Sequence, residues 1–123
     1  MILKTLEYPF GKGLLYDRYV HFIYPDDIKE VTPEYARMIL KDVDSFYGNQ
    51  KYVFISERGL DTRLDPEMLK GLNLSKMKAL AIVSPEGPSR MEELIKEQEV
   101  FKGSFAFFTN FDAAKDWALT FLD

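Results

Sequence analysis

At 123 residues, with twenty acidic and sixteen basic side chains (net charge −4) and 15% aromatic content, the chain has the composition of one soluble globular domain. It contains no cysteine and one histidine, which excludes a disulfide framework, a thiolate metal site, a cysteine nucleophile and a multi-histidine zinc site. A net acidic chain is a poor non-specific nucleic-acid binder, and no apolar run approaches the ~20 residues that span a bilayer.

Met1–Glu7 lacks the positive leader and apolar stretch of a secretory signal, so a cytoplasmic location is expected. Ile2 to Tyr8 fits a strand, and Pro9-Phe10-Gly11-Lys12-Gly13 reads as a loop. Leu14-Leu15-Tyr16 and Tyr19-Val20-His21-Phe22-Ile23-Tyr24 are rich in aromatic and β-branched residues, as strands are. Asp17-Arg18 between them reads as a tight hairpin turn, and Pro25-Asp26-Asp27 ends the second strand. Thr32-Pro33-Glu34 opens a helix: Thr as N-cap, Pro at the first helical position, Glu where the helix dipole favours it. Its apolar stripe is Tyr35, Met38, Ile39, Val43, Phe46 and Tyr47, stopped by Gly48-Asn49.

The rest alternates strand and helix. Tyr52-Val53-Phe54-Ile55 is a continuous apolar run of the kind buried on both faces of a parallel sheet. A polar stretch from Ser56 to Leu64 reads as loop, and Asp65-Pro66-Glu67 caps a short helix to about Leu72. Lys78–Val83 is the next strand. Either Ser84-Pro85-Glu86 or the capping box Ser89-x-x-Glu92 starts a helix that runs to about Glu99 and is broken at Lys102-Gly103. Ser104–Thr109 is the last strand. Asn110 or Asp112 caps the last helix, whose stripe is Ala114, Trp117, Ala118, Phe121 and Leu122. The order β-β-β-α-β-α-β-α-β-α predicts one α/β domain over residues 1–123 (α+β if the hairpin dominates). Its mixed, partly parallel sheet has right-handed crossovers, an N-terminal antiparallel hairpin and about four helices.

Four stretches carry a family likeness: Val31-Thr32-Pro33-Glu34-Tyr35, Tyr52-Val53-Phe54-Ile55-Ser56, Lys78–Ser84 and Phe105–Ala118. Through them the chain resembles the small bacterial SpoIIAA-like proteins, with the STAS-type fold of anti-sigma factor antagonists, and more narrowly the STAS/SEC14-type small proteins of Bacteroidetes. The resemblance implies a SpoIIAA-like fold and a binding or regulatory habit, and fold alone does not set function. The phosphorylatable antagonists carry an Asp-Ser pair opening the helix after a central strand. The matching stretch here, Ser56 to Glu67, has none. Asp61-Thr62 is its nearest approximation, which leaves Thr62 or Ser56 to take the phosphate if this chain is a phospho-switched regulator.

Ligands of open α/β sheets settle outside the carboxyl ends of the strands. Those ends are Ser56, Ser84 and Thr109, hydroxyls beside helix starts that suit an anion; the plainer reading makes them ordinary caps and turn formers. Arg58 and Arg63 lie in one loop within residues 51–78, which hold six basic and four acidic side chains. That basic patch suits an acidic protein partner; the plainer reading pairs both arginines with Glu57, Asp61 or Asp65 in solvent. His21 shares a strand face with Tyr19 and Ile23 and has no recognisable catalytic set in the sequence around it, so it reads as structural. Glu92, Glu93, Glu97 and Glu99, with Asp112 and Asp116, read as solvated helix faces. The surplus of aromatics (Tyr35, Phe46, Tyr47, Phe105, Phe107, Phe108, Trp117, Phe121) suits either core plus a homodimer face or the lining of a small apolar pocket. Gly11-Lys12-Gly13 lacks the spacing of a phosphate loop.

No catalytic residue, metal or cofactor is assigned. The expected function is a non-enzymatic binding or regulatory module acting through protein contacts, with Ser56, Arg58, Thr62, Arg63, Ser84 and Thr109 as its ligand- or partner-binding residues. A carrier of a small apolar or amphipathic ligand is the alternative, and a phospho-switched regulator the second.

Overall fold

The strand and helix signals above position the site, and they do so in a computed structural model that describes residues 1–25, 27–58, 63–84, 91–101 and 103–121. In chain order the elements are β1 (Lys4–Tyr8), β2 (Gly11–Leu15), β3 (Tyr19–Ile23), β4 (Glu30–Val31), α1 (Pro33–Tyr47), β5 (Tyr52–Glu57) and β6 (Arg63–Leu64). A 3₁₀ helix (Pro66–Gly71), β7 (Met77–Val83), α2 (Met91–Phe101), β8 (Ser104–Phe108) and α3 (Phe111–Leu119) follow. Six strands form one sheet in the order β1-β2-β3-β5-β7-β8. The first three are antiparallel neighbours, and β3, β5, β7 and β8 run parallel. This is the mixed α/β sheet with a leading antiparallel hairpin that the sequence predicts.

The parallel register decides which side chains share a face. Val20 lies beside Phe54 and Phe54 beside Leu80. With Leu15, Phe22, Tyr24, Tyr52 and Ile82 they form one core, which α1 completes through Ile39, Val43 and Tyr47. The opposite face carries Tyr19, Val53, Ile55, Ala79, Ala81 and Val83, packed against Ala114 and Ala118 of α3. Alanines on both sides of that contact let the helix backbone lie close to the sheet. The first core is instead filled by stacked rings: Phe10 on Tyr35 at 4.0 Å between centroids and Tyr8 on Phe10 at 4.8 Å.

The caps behave as their chemistry requires. Thr32 Oγ1 accepts from the Tyr35 N–H at 3.1 Å, and Asp65 Oδ1 from the Glu67 N–H at 3.0 Å. Asn110, not Asp112, caps α3, accepting from the Ala113 N–H at 2.9 Å. Ser84 lies well ahead of Met91, the first described residue of α2, while Ser89 lies outside the described residues. The hairpin turn at Asp17-Arg18 puts Arg18 at φ 66°, the left-handed region. The Tyr47 hydroxyl steadies that turn, donating to the carbonyls of Tyr16 and Tyr19 at 2.7 and 2.6 Å.

Four expectations change. The second helix is 3₁₀, since a segment bounded by Pro66 and Gly71 is too short to settle into α geometry. The buried stripe of α1 is Ala36, Ile39, Leu40, Val43 and Tyr47, and Met38 is exposed, so the helix presents a face rotated from the one its largest apolar residues suggest. Arg63-Leu64, read as loop, pairs in parallel with Glu30-Val31; a two-residue bridge leaves no periodic trace in the sequence. Gly11 and Gly13 sit in β2 rather than in a loop. A Cβ on Gly11 would collide with the Phe22 ring edge and lie 2.9 Å from the Ile23 carbonyl oxygen. The glycine is therefore there to admit a ring. Gly11→Ala should destabilise the fold by about 1–3 kcal/mol, the cost of overpacking. Gly71→Ala, which meets nothing within 4 Å, should change it by less than about 0.5 kcal/mol. Urea unfolding curves of the two variants check this contrast.

Candidate functional site

The carboxyl end of β5 continues past Glu57 because the Arg58 N–H donates to the Val83 carbonyl at 2.9 Å. That extra step keeps the side-chain alternation going. Ser56 and Arg58 therefore point to the face that α1 and α2 cover, and both are buried. The Arg58 guanidinium meets the Glu97 carboxylate of α2 in a bidentate pair, Nη1 to Oε2 and Nη2 to Oε1, each 2.9 Å. Its Nε donates to Ser56 Oγ at 3.3 Å. The two charged side chains are only 5% and 2% exposed. This is the planar, two-point recognition that a guanidinium offers and a lysine does not. A buried pair of this kind survives only when its donors and acceptors are met. Among the described residues, every buried side-chain nitrogen or oxygen has a hydrogen-bond partner.

This arrangement corrects the expectation for Arg58. It is neither a solvated loop charge paired with Glu57, Asp61 or Asp65 nor a basic surface offered to an acidic partner. Its charge is matched from inside the protein by a residue read as part of a solvated acidic face. Glu97 sits between Leu94 and Phe101 at helical spacing, and a carboxylate inside an apolar stripe is the signal that identifies it. Ser84, at the end of β7, is buried as well, its N–H donating to the Phe108 carbonyl at 3.0 Å. Thr109 is exposed. The fold thus brings Ser56 and Arg58 together, buries Ser84 and leaves Thr109 on the surface. Thr62 and the Arg63 side chain lie outside the described residues. Burial also withdraws the Ser56 hydroxyl from any modifying enzyme acting on the folded chain.

A second polar pair occupies the other face at the same end of the sheet. His21 Nε2 lies 2.7 Å from Glu57 Oε1, and the imidazole stacks on Phe111 with centroids 3.9 Å apart and planes 13° apart. The carboxylate comes from a neighbouring strand thirty-six positions away, so no local motif announces it. Register does: Ile23 lies beside Glu57, one pleat along from His21. Burial pushes the His21 pKa below its usual value, against the opposing pull of the Glu57 hydrogen bond and charge. The neutral ring donating from Nε2 to the carboxylate fits both observations. Among the described residues no group of three or more His, Asp or Glu side chains converges as metal ligands would.

Beneath Arg58 the first core leaves a cavity of about 50 Å³ between the sheet, α1 and the 3₁₀ helix, walled by residues including Tyr24, Val31, Leu69, Leu74 and Leu80. Small-molecule pockets hold roughly 300–1,000 Å³. The space is a packing gap on that scale, and none of the rings expected to line a pocket borders it; they are buried or partly buried against the two cores. Among the described residues no helix is long and apolar enough to cross a membrane.

No protein-family model matches the chain, and no curated protein or solved structure matches it either.

Removing one partner of the buried pair strands the other charge. Arg58→Met and Glu97→Leu should each destabilise the fold by about 3–5 kcal/mol, and the double variant by clearly less than either alone. A double-mutant cycle in urea measures this. The lowered His21 pKa gives a second expectation. The unfolded chain takes up the imidazole proton at higher pH than the folded one does. The histidine's contribution is therefore complete above about pH 6.5 and is lost as pH falls through the folded-state pKa. Stability measured across this range should fall on acidification, and the part of the fall due to His21 should vanish in His21→Asn.

Proposed function

We propose that this protein is a non-enzymatic, cytoplasmic binding or regulatory module of the STAS-type kind its sequence resembles, and that it works through protein contacts at the β8–α3 end of its sheet. The observation that carries this reading is a set of rings left partly uncovered around the edge strand: Phe105 and Phe107 of β8 beside the first core, and Trp117 of α3 with Phe121 just after it beside the second. Large partly exposed aromatics, here flanking one sheet edge from both faces, are the usual anchors of protein interfaces. The carboxyl rim gives this reading further support. There Ser56, Arg58 and Ser84 are buried and Arg58 is bound to Glu97, so the working surface is sought elsewhere on the molecule. The cavity below the rim is well under the volume that a small-molecule pocket holds.

The test is site-specific photo-crosslinking in cells. A photoreactive residue at Phe105 or Phe121 should yield a discrete protein adduct, whereas one at Glu34, exposed at the start of α1, should not. Absence of an adduct from both β8 and α3 positions would overturn the assignment of this surface.

A further inference from the structure

Among the described residues the sheet ends on both sides in strands with one unpaired edge, β1 and β8. Proteins guard such edges with charges, prolines or bulges. On β1, Lys4 and Glu7 are exposed and charged. By contrast β8 reads Ser-Phe-Ala-Phe-Phe, with no charge, no proline, and four of its five side chains only partly buried. It is a five-residue strand whose own sequence supplies neither charge nor proline as a guard.

The direction of its free backbone groups follows from its pairing. The Phe108 carbonyl accepts from the Ser84 N–H of the β7 side. In a parallel pair the N–H and C=O of one residue point the same way and alternate along the strand. Ser104, Ala106 and Phe108 therefore face β7, and Phe105 and Phe107 turn their N–H and C=O groups to the open edge. The sequence around Ala106 is a palindrome, Phe105-Ala106-Phe107. An antiparallel copy of the same strand, related by a two-fold axis at Ala106, sets Phe105 of each chain opposite Phe107 of the other as a hydrogen-bonded pair. This forms about four inter-chain hydrogen bonds. It also stacks the partly buried rings as aromatic cross-strand pairs on one face, and places alanine against alanine on the other.

We propose that β8 is a self-pairing edge: its occupant is a second copy of this chain, docked antiparallel about Ala106 to give one continuous sheet across two protomers. The proposal rests on the reading of the β8–α3 end as a contact surface and names the partner there. The two-fold arrangement is closed, so both copies use the same edge and no further β8 is left to extend it. A five-residue strand is a small interface, so the dimer forms reversibly with concentration.

The test uses the absence of native cysteine. In the predicted register the two Ala106 residues form a non-hydrogen-bonded pair with Cα atoms about 4.5 Å apart, inside the span of roughly 4.4–6.8 Å that a disulfide bridges. Ser104 of one chain lies opposite Phe108 of the other, far from its own symmetry mate. Under air oxidation Ala106→Cys should form a covalent dimer on a non-reducing gel, and Ser104→Cys should not. Equal cross-linking of both variants, or none of Ala106→Cys at concentrations where sedimentation shows dimer, overturns the register. In sedimentation the mass of the unaltered chain should rise with concentration from 14.3 kDa toward twice that value, and Phe107→Lys should weaken association at least tenfold. A chain that stays monomeric at all concentrations overturns self-pairing. Should Phe107→Lys fail to fold, the cysteine pair still decides. In the cellular photo-crosslink at Phe105, an adduct made only with a different protein sinks self-pairing yet leaves the contact reading intact. Loss of every adduct removes both.

Discussion

The bidentate pair between Arg58 and Glu97 is the constraint around which the carboxyl end of this sheet is organised. Neither charge has a place in an apolar interior unless the other is held opposite it with both hydrogen bonds made. The pair therefore fixes three things together: the extension of β5 past Glu57, the rotation of α2 that aims Glu97 inward, and the closeness of that helix to the strand ends. Hydrophobic contact alone tolerates sliding of a helix along its axis; a two-point charged contact does not. Ser56 adds a third point of contact by accepting from Nε.

The two faces of the sheet solve their packing differently. Where α1 lies, rings fill the space and hydroxyls tie the elements together: Tyr8 to Asp42, Tyr52 to Asp44 at 2.7 Å, and Tyr47 to the hairpin turn. Burial and the neighbouring carboxylates raise the pKa values of Tyr8 and Tyr52, so both phenols stay protonated donors. Where α3 lies, alanines meet alanines and the helix approaches closely, which leaves Trp117 of the helix and Phe121 just beyond it at the margin of the contact. The margin is thus a direct outcome of small residues at the centre.

Much of this fold was legible in the chain because its signals are local. Thr32-Pro33, Asp65-Pro66 and Asn110 act within one helical turn, and runs such as Tyr52–Ile55 announce a buried parallel strand by composition alone. The site was less legible because its pairings are not local. Arg58 and Glu97 are thirty-nine positions apart and His21 and Glu57 thirty-six, and only register and helix rotation join them. The error over Met38 has the same root: residue size indicates what prefers burial, while the direction a helix presents is set by what it packs on. Gly11 misled in the opposite sense. A glycine read as a turn residue was answering to Phe22, a ring in the next strand.

Strand order in the parallel half of the sheet follows chain order, β3, β5, β7, β8. Each new strand docks beside the one made just before it, with its crossover closing over the same face. Assembly of this half during synthesis can accordingly proceed by accretion: a ribosome delivering the chain from its amino end never has to wait for a distant segment before the next layer finds its template. Only α3 breaks the sequence of events, crossing to the opposite side and sealing it last.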